Sequence, residues 1–259
     1  MTDGANVKAI IVDLDRTLLR TDKTISPYTL GVLEACRRRG MKIMAATARP
    51  WRTARQYGDM LAMDAMVVSN GARVICGHQR LDDGIPLESA LRLLRALKRY
   101  PDMRITLETG DCAYANHPIE DYETILTDDL AAAAEKEGVI KLLVHLDHSD
   151  TRSLVENELT DDLYATVAHG YLMQIMSKST TKWHGICTML ALCGCTPDEA
   201  AYFGDDQDDL EPIRLCGVGV AVGNAIDEVK AAADDVAASN DEDGVARYIE
   251  RHFLRQTNM

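Results

Sequence analysis

Apolar positions follow two rhythms along this chain, and the rhythm changes twice. Toward the N-terminus, Val7–Val12, Lys42–Ala46 and Ala65–Ser69 are short, nearly unbroken apolar runs, as expected of strands buried on both faces. Amphipathic stretches with helix punctuation lie between them. Ser26 caps a predicted helix that runs to about Arg39, with Pro27 at its first position and Gly40 beyond its end. Pro50 opens a second predicted helix reaching about Ala62. This β-α-β-α-β order implies a parallel sheet with right-handed crossovers.

The C-terminal part repeats the rhythm. Thr181–Cys193 reads as helix, Ala200–Phe203 as strand, Asp209–Cys216 as helix and Val218–Val222 as strand. Ala225–Ala233 then reads as helix, Val236–Ala238 as a short strand and Gly244–Arg251 as a closing helix. The middle differs. Pro86–Tyr100 is a predicted amphipathic helix, with Leu87, Leu91, Leu94 and Leu97 at helical spacing. Met103–Glu108 and Cys112–Asn116 form a predicted hairpin around Gly110-Asp111. Val139–Leu146 reads as strand, Thr151–Leu159 as helix, and Leu163–Val167 with Tyr171–Met176 as a strand pair. Residues 82–178 therefore read as an α+β domain inserted into a core made of residues 1–81 and 179–259.

A length of 259 residues is ample for such a core and insertion. The net charge of −13 argues against a nucleic-acid-binding surface, since phosphate backbones are met by Lys and Arg patches and none is evident. It does not exclude small phosphorylated ligands, because a bound divalent cation inverts the local field. Seven scattered Cys, at 36, 76, 112, 187, 193, 195 and 216, fit buried free thiols in a reducing cytoplasm better than a disulfide framework. Cys193-x-Cys195, with Cys187 and His184 nearby, misses the usual zinc spacings. No run reaches the ~18 apolar residues of a membrane span, and MTDGANVK has no apolar signal core.

Four segments at strand ends of the core carry candidate chemistry: Asp13-Leu14-Asp15-Arg16-Thr17, Thr47 with Ala48-Arg49-Pro50, Lys182, and Gly204-Asp205-Asp206-Gln207-Asp208-Asp209. Ligands bind at the carboxyl ends of parallel strands. Each segment alone has a plain alternative: a solvated turn, a helix cap, a surface lysine, an acidic face. Asp198–Asp243 holds fourteen acids against two bases, most of them solvated. A Ca²⁺ loop from Asp205 lacks its twelfth-position Glu, where Cys216 stands. Together the segments converge. Asp13, Asp15 and Asp205 or Asp209 are hard oxygen ligands suited to Mg²⁺. Thr47 and Lys182 suit phosphoryl oxygens.

In "VDLDRTLL", "MKIMAATARP", "VVSNGA", "KSTTKWHGICTML", "YFGDDQDDLEPIRLCGVGVAVGNA" and "SNDEDGVARYIERHF", taken in order, the chain resembles the haloacid dehalogenase superfamily, in its Cof-type branch (subclass IIB). That resemblance implies a Rossmann-like doubly wound parallel sheet with an inserted α+β cap of the C2 type. It implies a Mg²⁺-dependent phosphatase working through an aspartyl phosphate. Asp13 would be the nucleophile and Asp15 the proton carrier, with its carbonyl on the metal. Asp205 would ligate Mg²⁺, with Asp209 in the inner or outer sphere. Thr47 and Lys182 would hold the phosphoryl group, and Leu14, Ala48, Arg49, Asn70, Gly71 and Asn224 would line the phosphate and substrate site.

Three positions depart from the family pattern: Arg16 and Ala48 stand where Gly is usual or frequent, and Asp208 where Asn is usual. The substrate expected is a small phosphorylated metabolite, a sugar phosphate first and a nucleotide or cofactor precursor next. His117, Arg92 and Tyr114 of the insertion are candidate substrate contacts. A phosphomutase outcome stays open. A receiver-type signalling module would be about half this length and lack an acid at Asp15; a non-catalytic binding protein would not need the whole set. The chain is expected to work as a monomer or homodimer, without nucleic acid or membrane.

Overall fold

The computed structural model describes residues 7–168 and 170–255. Residues 1–6, which carry most of the segment read above as lacking a signal core, lie outside them. Contacts divide the chain into two compact units. One runs through Arg49, continues over Thr53–Leu81 and resumes at Thr181; the other comprises Pro50–Arg52 and Asp82–Thr180.

The first unit begins with β1 (Ala9–Val12), α1 (Pro27–Arg38), β2 (Lys42–Ala46), α2 (Trp51–Met60) and β3 (Ala65–Val68). Ser26 caps α1 as its residue type dictates, its Oγ accepting from the Thr29 N–H at 3.0 Å. β4 (Arg73–Cys76) then runs antiparallel to β3, and β5 (Gln79–Asp82) closes that edge.

The second unit is built from α3 (Leu87–Leu97), β6 (Ile105–Glu108), β7 (Ala113–Ala115), β8 (Ile125–Leu126), α4 (Leu130–Glu137), β9 (Lys141–His145), α5 (Thr151–Glu156), β10 (Leu163–Ala168) and β11 (Leu172–Ser177). Its six strands follow the order β10-β11-β9-β6-β7-β8, antiparallel except for β7 with β8. Leu93, Leu94 and Leu97 of α3 join Ile105, Leu107, Leu142, Val144 and Ile175 in one apolar cluster. Alternation along β6 gives the opposite sheet face Thr106 and Glu108. Leu87, expected on the apolar face of α3, is 43% exposed; it is the first helical residue, ahead of the turn that meets the core.

The first unit resumes with α6 (Lys182–Leu192), β12 (Ala200–Gly204), α7 (Leu210–Leu215), β13 (Val218–Ala221), α8 (Asp227–Ala232), β14 (Asp235–Val236) and α9 (Gly244–Ile249). Its sheet order is β14-β13-β12-β1-β2-β3-β4-β5, and the first six of these are mutually parallel. Connections run outward in both directions from β1 and β12, so the order reverses between those two strands. A crevice opens outside the carboxyl ends at such a reversal. Ile10, Ile11, Ile43, Met44, Tyr202 and Phe203 are fully buried in this sheet. All seven Cys are free; Cys36, Cys195 and Cys216 are buried.

Candidate active site

Register places the chemistry before any side chain does. β1 pairs Val12 with Phe203 on one side and with Ala45 on the other. Asp13 therefore leaves the sheet level with Gly204 and Ala46, and its N–H still donates to Phe203 O at 2.9 Å. The chain then turns tightly, Leu18 N–H returning to Asp13 O at 3.2 Å and Leu19 N–H to Leu14 O at 2.8 Å. Arg16 sits inside this turn with φ 61°, a left-handed conformation that favours Gly.

Gly204 ends β12, and its missing side chain is what admits Asp209: a Cβ there would stand 2.5 Å from the Asp209 Cγ. Asp209 is 1% exposed and its carboxylate is fully engaged. Oδ1 accepts from Lys182 Nζ at 2.7 Å and from the Tyr202 hydroxyl at 2.6 Å. Oδ2 accepts from the N–H groups of Asp205 at 2.8 Å and Asp206 at 3.1 Å. Burial opposes its charge, but these donors hold the carboxyl below the usual carboxylate range. Lys182 also reaches Asp13 Oδ1, at a longer 3.1 Å. Burial would lower the ammonium; Asp13 and Asp209 hold it above its ordinary value instead.

One ammonium cannot neutralise two carboxylates, and Asp209 holds the shorter contact. Asp13 is left under-compensated. Burial pushes its carboxyl well up, with Asp209 and Asp205 adding and Lys182 opposing. Asp205 is pushed up to about 6, chiefly by burial, although the Thr17 hydroxyl donates to its Oδ1 at 2.9 Å. Asp13, Asp205 and Asp209 are all buried and each offers a carboxylate oxygen, the three lying within 4.8 Å of one another. Among the described residues no other group of His, Cys, Asp and Glu meets this condition. A buried acid cluster short of positive charge fits a divalent cation: hard oxygens and unmet negative charge are its requirements.

Asp15 faces differently. Arg49 binds it bidentately, Nε to Oδ2 at 2.5 Å and Nη2 to Oδ1 at 2.7 Å, and Lys23 Nζ adds a contact at 2.6 Å. Burial works against the charge, yet these partners hold Asp15 below the usual range. The Thr47 Oγ1 accepts from the Arg49 N–H at 3.2 Å, so Thr47 shapes the turn that delivers Arg49.

Asp13, Asp15, Thr47, Ala48, Lys182 and Asp205 come together around a cavity of about 150 Å³, joined by Arg16, Asp206, Asp208 and Asp209. Leu14, Arg49, Asn70, Gly71 and Asn224 do not line it. Leu14 is buried beneath the turn. Asn70 donates to Asp208 Oδ2 at 2.9 Å, while its buried Oδ1 has no partner. Gly71 abuts the start of α6: a Cβ would fall 2.0 Å from Thr181 O. Asn224 braces the turn after β1, donating to Arg16 O at 2.7 Å and accepting from the Asn240 N–H at 2.9 Å. In the second unit, Tyr114 hydrogen-bonds Glu137 and His117 approaches Pro101 O.

Sequence reasoning passed over Tyr202 and Lys23 and gave Thr17, within the first candidate segment, no role of its own. Tyr202 lies within an apolar strand and reads as core. Thr17 carries the only advance signal, a hydroxyl within the acidic turn.

An α/β protein with buried, ionisable side chains gathered at the reversal point of a mostly parallel sheet is the class that fold and site define. The chain belongs to the haloacid dehalogenase-like hydrolase family, whose model matches residues 10–249. Over 266 residues it is 29% identical to the 5-amino-6-(5-phospho-D-ribitylamino)uracil phosphatase YitU of Bacillus subtilis, covering 94% of this chain and 97% of that one. It is 26% identical over 278 residues to the pyridoxal phosphate phosphatase YbhA of Escherichia coli, covering 95% and 99%. A haloacid dehalogenase-like hydrolase from Bacteroides thetaiotaomicron superposes with a TM-score of 0.84 at 26% identity, covering 95% of this chain and 100% of that one. A sugar phosphatase of subclass IIB shares the fold, with a TM-score of 0.77 at 24% identity over 96% and 100%. No helix among the described residues is long and apolar enough to cross a membrane.

Proposed function

We propose that this protein is a Mg²⁺-dependent phosphatase of small phosphorylated metabolites, with Asp13 as its nucleophile. The observation that carries the reading is the position of Asp13: a buried carboxylate lining the cavity, 3.1 Å from Lys182 and clustered with Asp205 and Asp209. Asp13 would take the phosphoryl group, forming its own P–O bond as the ester oxygen leaves. Lys182 opposes the burial that raises the Asp13 carboxyl and would offset charge on the transferring group. Asp13 and Asp205 would hold the cation, and Asp209, its oxygens already occupied, would orient the Asp205–Asp206 backbone and Lys182. When bound, Mg²⁺ supplies charge neutralisation to the cluster and to phosphoryl oxygens.

Asp15 would move the proton. Paired with Arg49 and Lys23 it is ionised, the form needed to deprotonate the water that attacks the phosphoaspartate. To protonate a leaving oxygen it must first give up part of that pairing.

A sugar phosphate is the first substrate class to test. A phosphorylated cofactor or cofactor precursor is the second, favoured by the activities named for YitU and YbhA. The test is phosphate release from a panel holding both classes and a generic aryl phosphate, with Mg²⁺ and with a chelator. Turnover that the chelator abolishes is expected, with Asp13→Asn lowering it about 10⁴-fold or more. No turnover of any panel member, or full activity in Asp13→Asn, would refute the reading.

A further inference from the structure

Among the described residues, Arg16 is the one cavity-lining cation without a short partner. Lys182 is spent on Asp13 and Asp209, while Arg49 and Lys23, which do not line the cavity, are spent on Asp15. The Arg16 side chain is 59% exposed, and its Nε stands 3.9 Å from Asp205 Oδ2. That is the outer limit of an ion pair, held in solvent and correspondingly weak. The other oxygen of Asp205 takes the Thr17 hydroxyl. Asp205 Oδ2 is thus the oxygen nearer the guanidinium.

The backbone around Arg16 is fixed by its neighbours. Asn224 holds the Arg16 carbonyl at 2.7 Å, Asn240 holds Asn224 through its N–H at 2.9 Å, and the Asn240 amide reaches Leu19 O at 3.0 Å. This chain of three contacts keeps residue 16 left-handed, at φ 61°, where any side chain is strained. A side chain retained in such a position invites a functional reading. Its charge supplies one.

We propose that Arg16 is an internal cation that competes with the divalent ion for Asp205, and so weakens metal binding. The inference rests on the proposed function only in placing Mg²⁺ at the Asp13–Asp205 cluster. Without the ion, the guanidinium partly neutralises Asp205. With the ion there, a +1 and a +2 charge stand within a few ångströms and repel. Arg16 is exposed enough to swing outward, though not far enough to leave the field at moderate salt. Like charges about 5 Å apart, in a largely aqueous dielectric, raise the dissociation constant by about three- to tenfold after screening. Arg16 would thereby set the Mg²⁺ concentration at which the site fills.

The test reads binding and not turnover. Mg²⁺ is titrated calorimetrically into metal-free wild type, Arg16→Gly, Arg16→Gln and Arg16→Lys, and Mn²⁺ binding is followed by electron spin resonance of the free ion. Arg16→Gly and Arg16→Gln are expected to bind three- to tenfold tighter, and Arg16→Lys within twofold of wild type. The gap should narrow as ionic strength rises. Gln keeps the strained backbone and Gly relieves it; tightening in Gly alone would make strain the cause and overturn the proposal. So would unchanged or weaker binding in both. Wild type that binds no divalent ion would remove the metal from the proposed function itself, whereas binding without a gap sinks only the role of Arg16.

Discussion

Tyr202 and Asp209 show how one hydroxyl can decide where an acid points. The phenol is fully buried and donates to Asp209 Oδ1 at 2.6 Å, beside the Lys182 contact at 2.7 Å. Removing it leaves one lone pair of a buried carboxylate unmet. Tyr202→Phe is expected to lower unfolding free energy by about 2 kcal/mol, in the range of a hydrogen bond to a charged group. Urea denaturation measures this; a change below about 0.5 kcal/mol would show that the contact contributes little. That Asp13, Lys182, Asp205 and Asp209 meet was readable in advance, because each lies at or next to the end of a core element and parallel strand ends converge. Tyr202 was not, because a Tyr inside "AAYFG" is indistinguishable from a core aromatic until its hydroxyl finds a partner. The direction of Arg49 was equally hidden. The sequence places it beside Thr47, but whether a long side chain turns to the cavity or to Asp15 is settled by packing.

Elements show the same division between what pattern reveals and what only contact reveals. α1, β2, α6 and β12 lie close to their expected bounds, since each has a cap, a breaker or an apolar run. β4, β5, β8 and α4 went unrecognised. β8 is two residues long, β5 is wholly exposed, and α4, "LAAAAEKE", carries so many alanines that no apolar period emerges. The junction of β3 with α6 depends on contact alone. Gly71 follows β3 at φ 106°, and an added Cβ would sit 2.0 Å from Thr181 O and 2.6 Å from its carbonyl carbon. Both atoms are backbone of the residue that caps α6, whose hydroxyl accepts from His184 N–H. Gly71→Ala combines positive φ with a clash that no rotamer relieves. It is expected to cost about 3 kcal/mol, read as a lower urea midpoint with an unchanged slope. A wild-type midpoint would mean that the junction yields at little cost.

For the molecule as a whole, the acidic excess makes pH a probe of how its carboxylates are used. Several are held below their ordinary values by donors within their own unit. Arg104 binds Asp147 at 2.5 and 2.7 Å, and the Tyr114 hydroxyl leads the donors on Glu137. Asp243 is half of a pair with Arg20 at 2.8 Å; burial opposes its charge, and Arg20, Ser26 and Thr29 lower it. For each such Asp the unfolded chain takes up its proton near 3.8 and the folded chain at lower pH. Their stabilisation is thus fully present above 3.8 and is lost as pH falls through the folded value. Asp205, at about 6, runs the other way, but below 3.8 it is protonated in both states and adds no slope. Stability should therefore fall steeply below about pH 3.8. Arg20→Gln isolates one share of that fall. Without the guanidinium, Asp243 titrates nearer its ordinary value, so the variant should be less stable than wild type at pH 6. As acid removes the Asp243 charge from both proteins, their urea midpoints should converge below 3.8. A gap of constant size from pH 6 to pH 3 would mean that Arg20 contributes through packing of its stem, and that the Asp243 carboxylate is not what it stabilises.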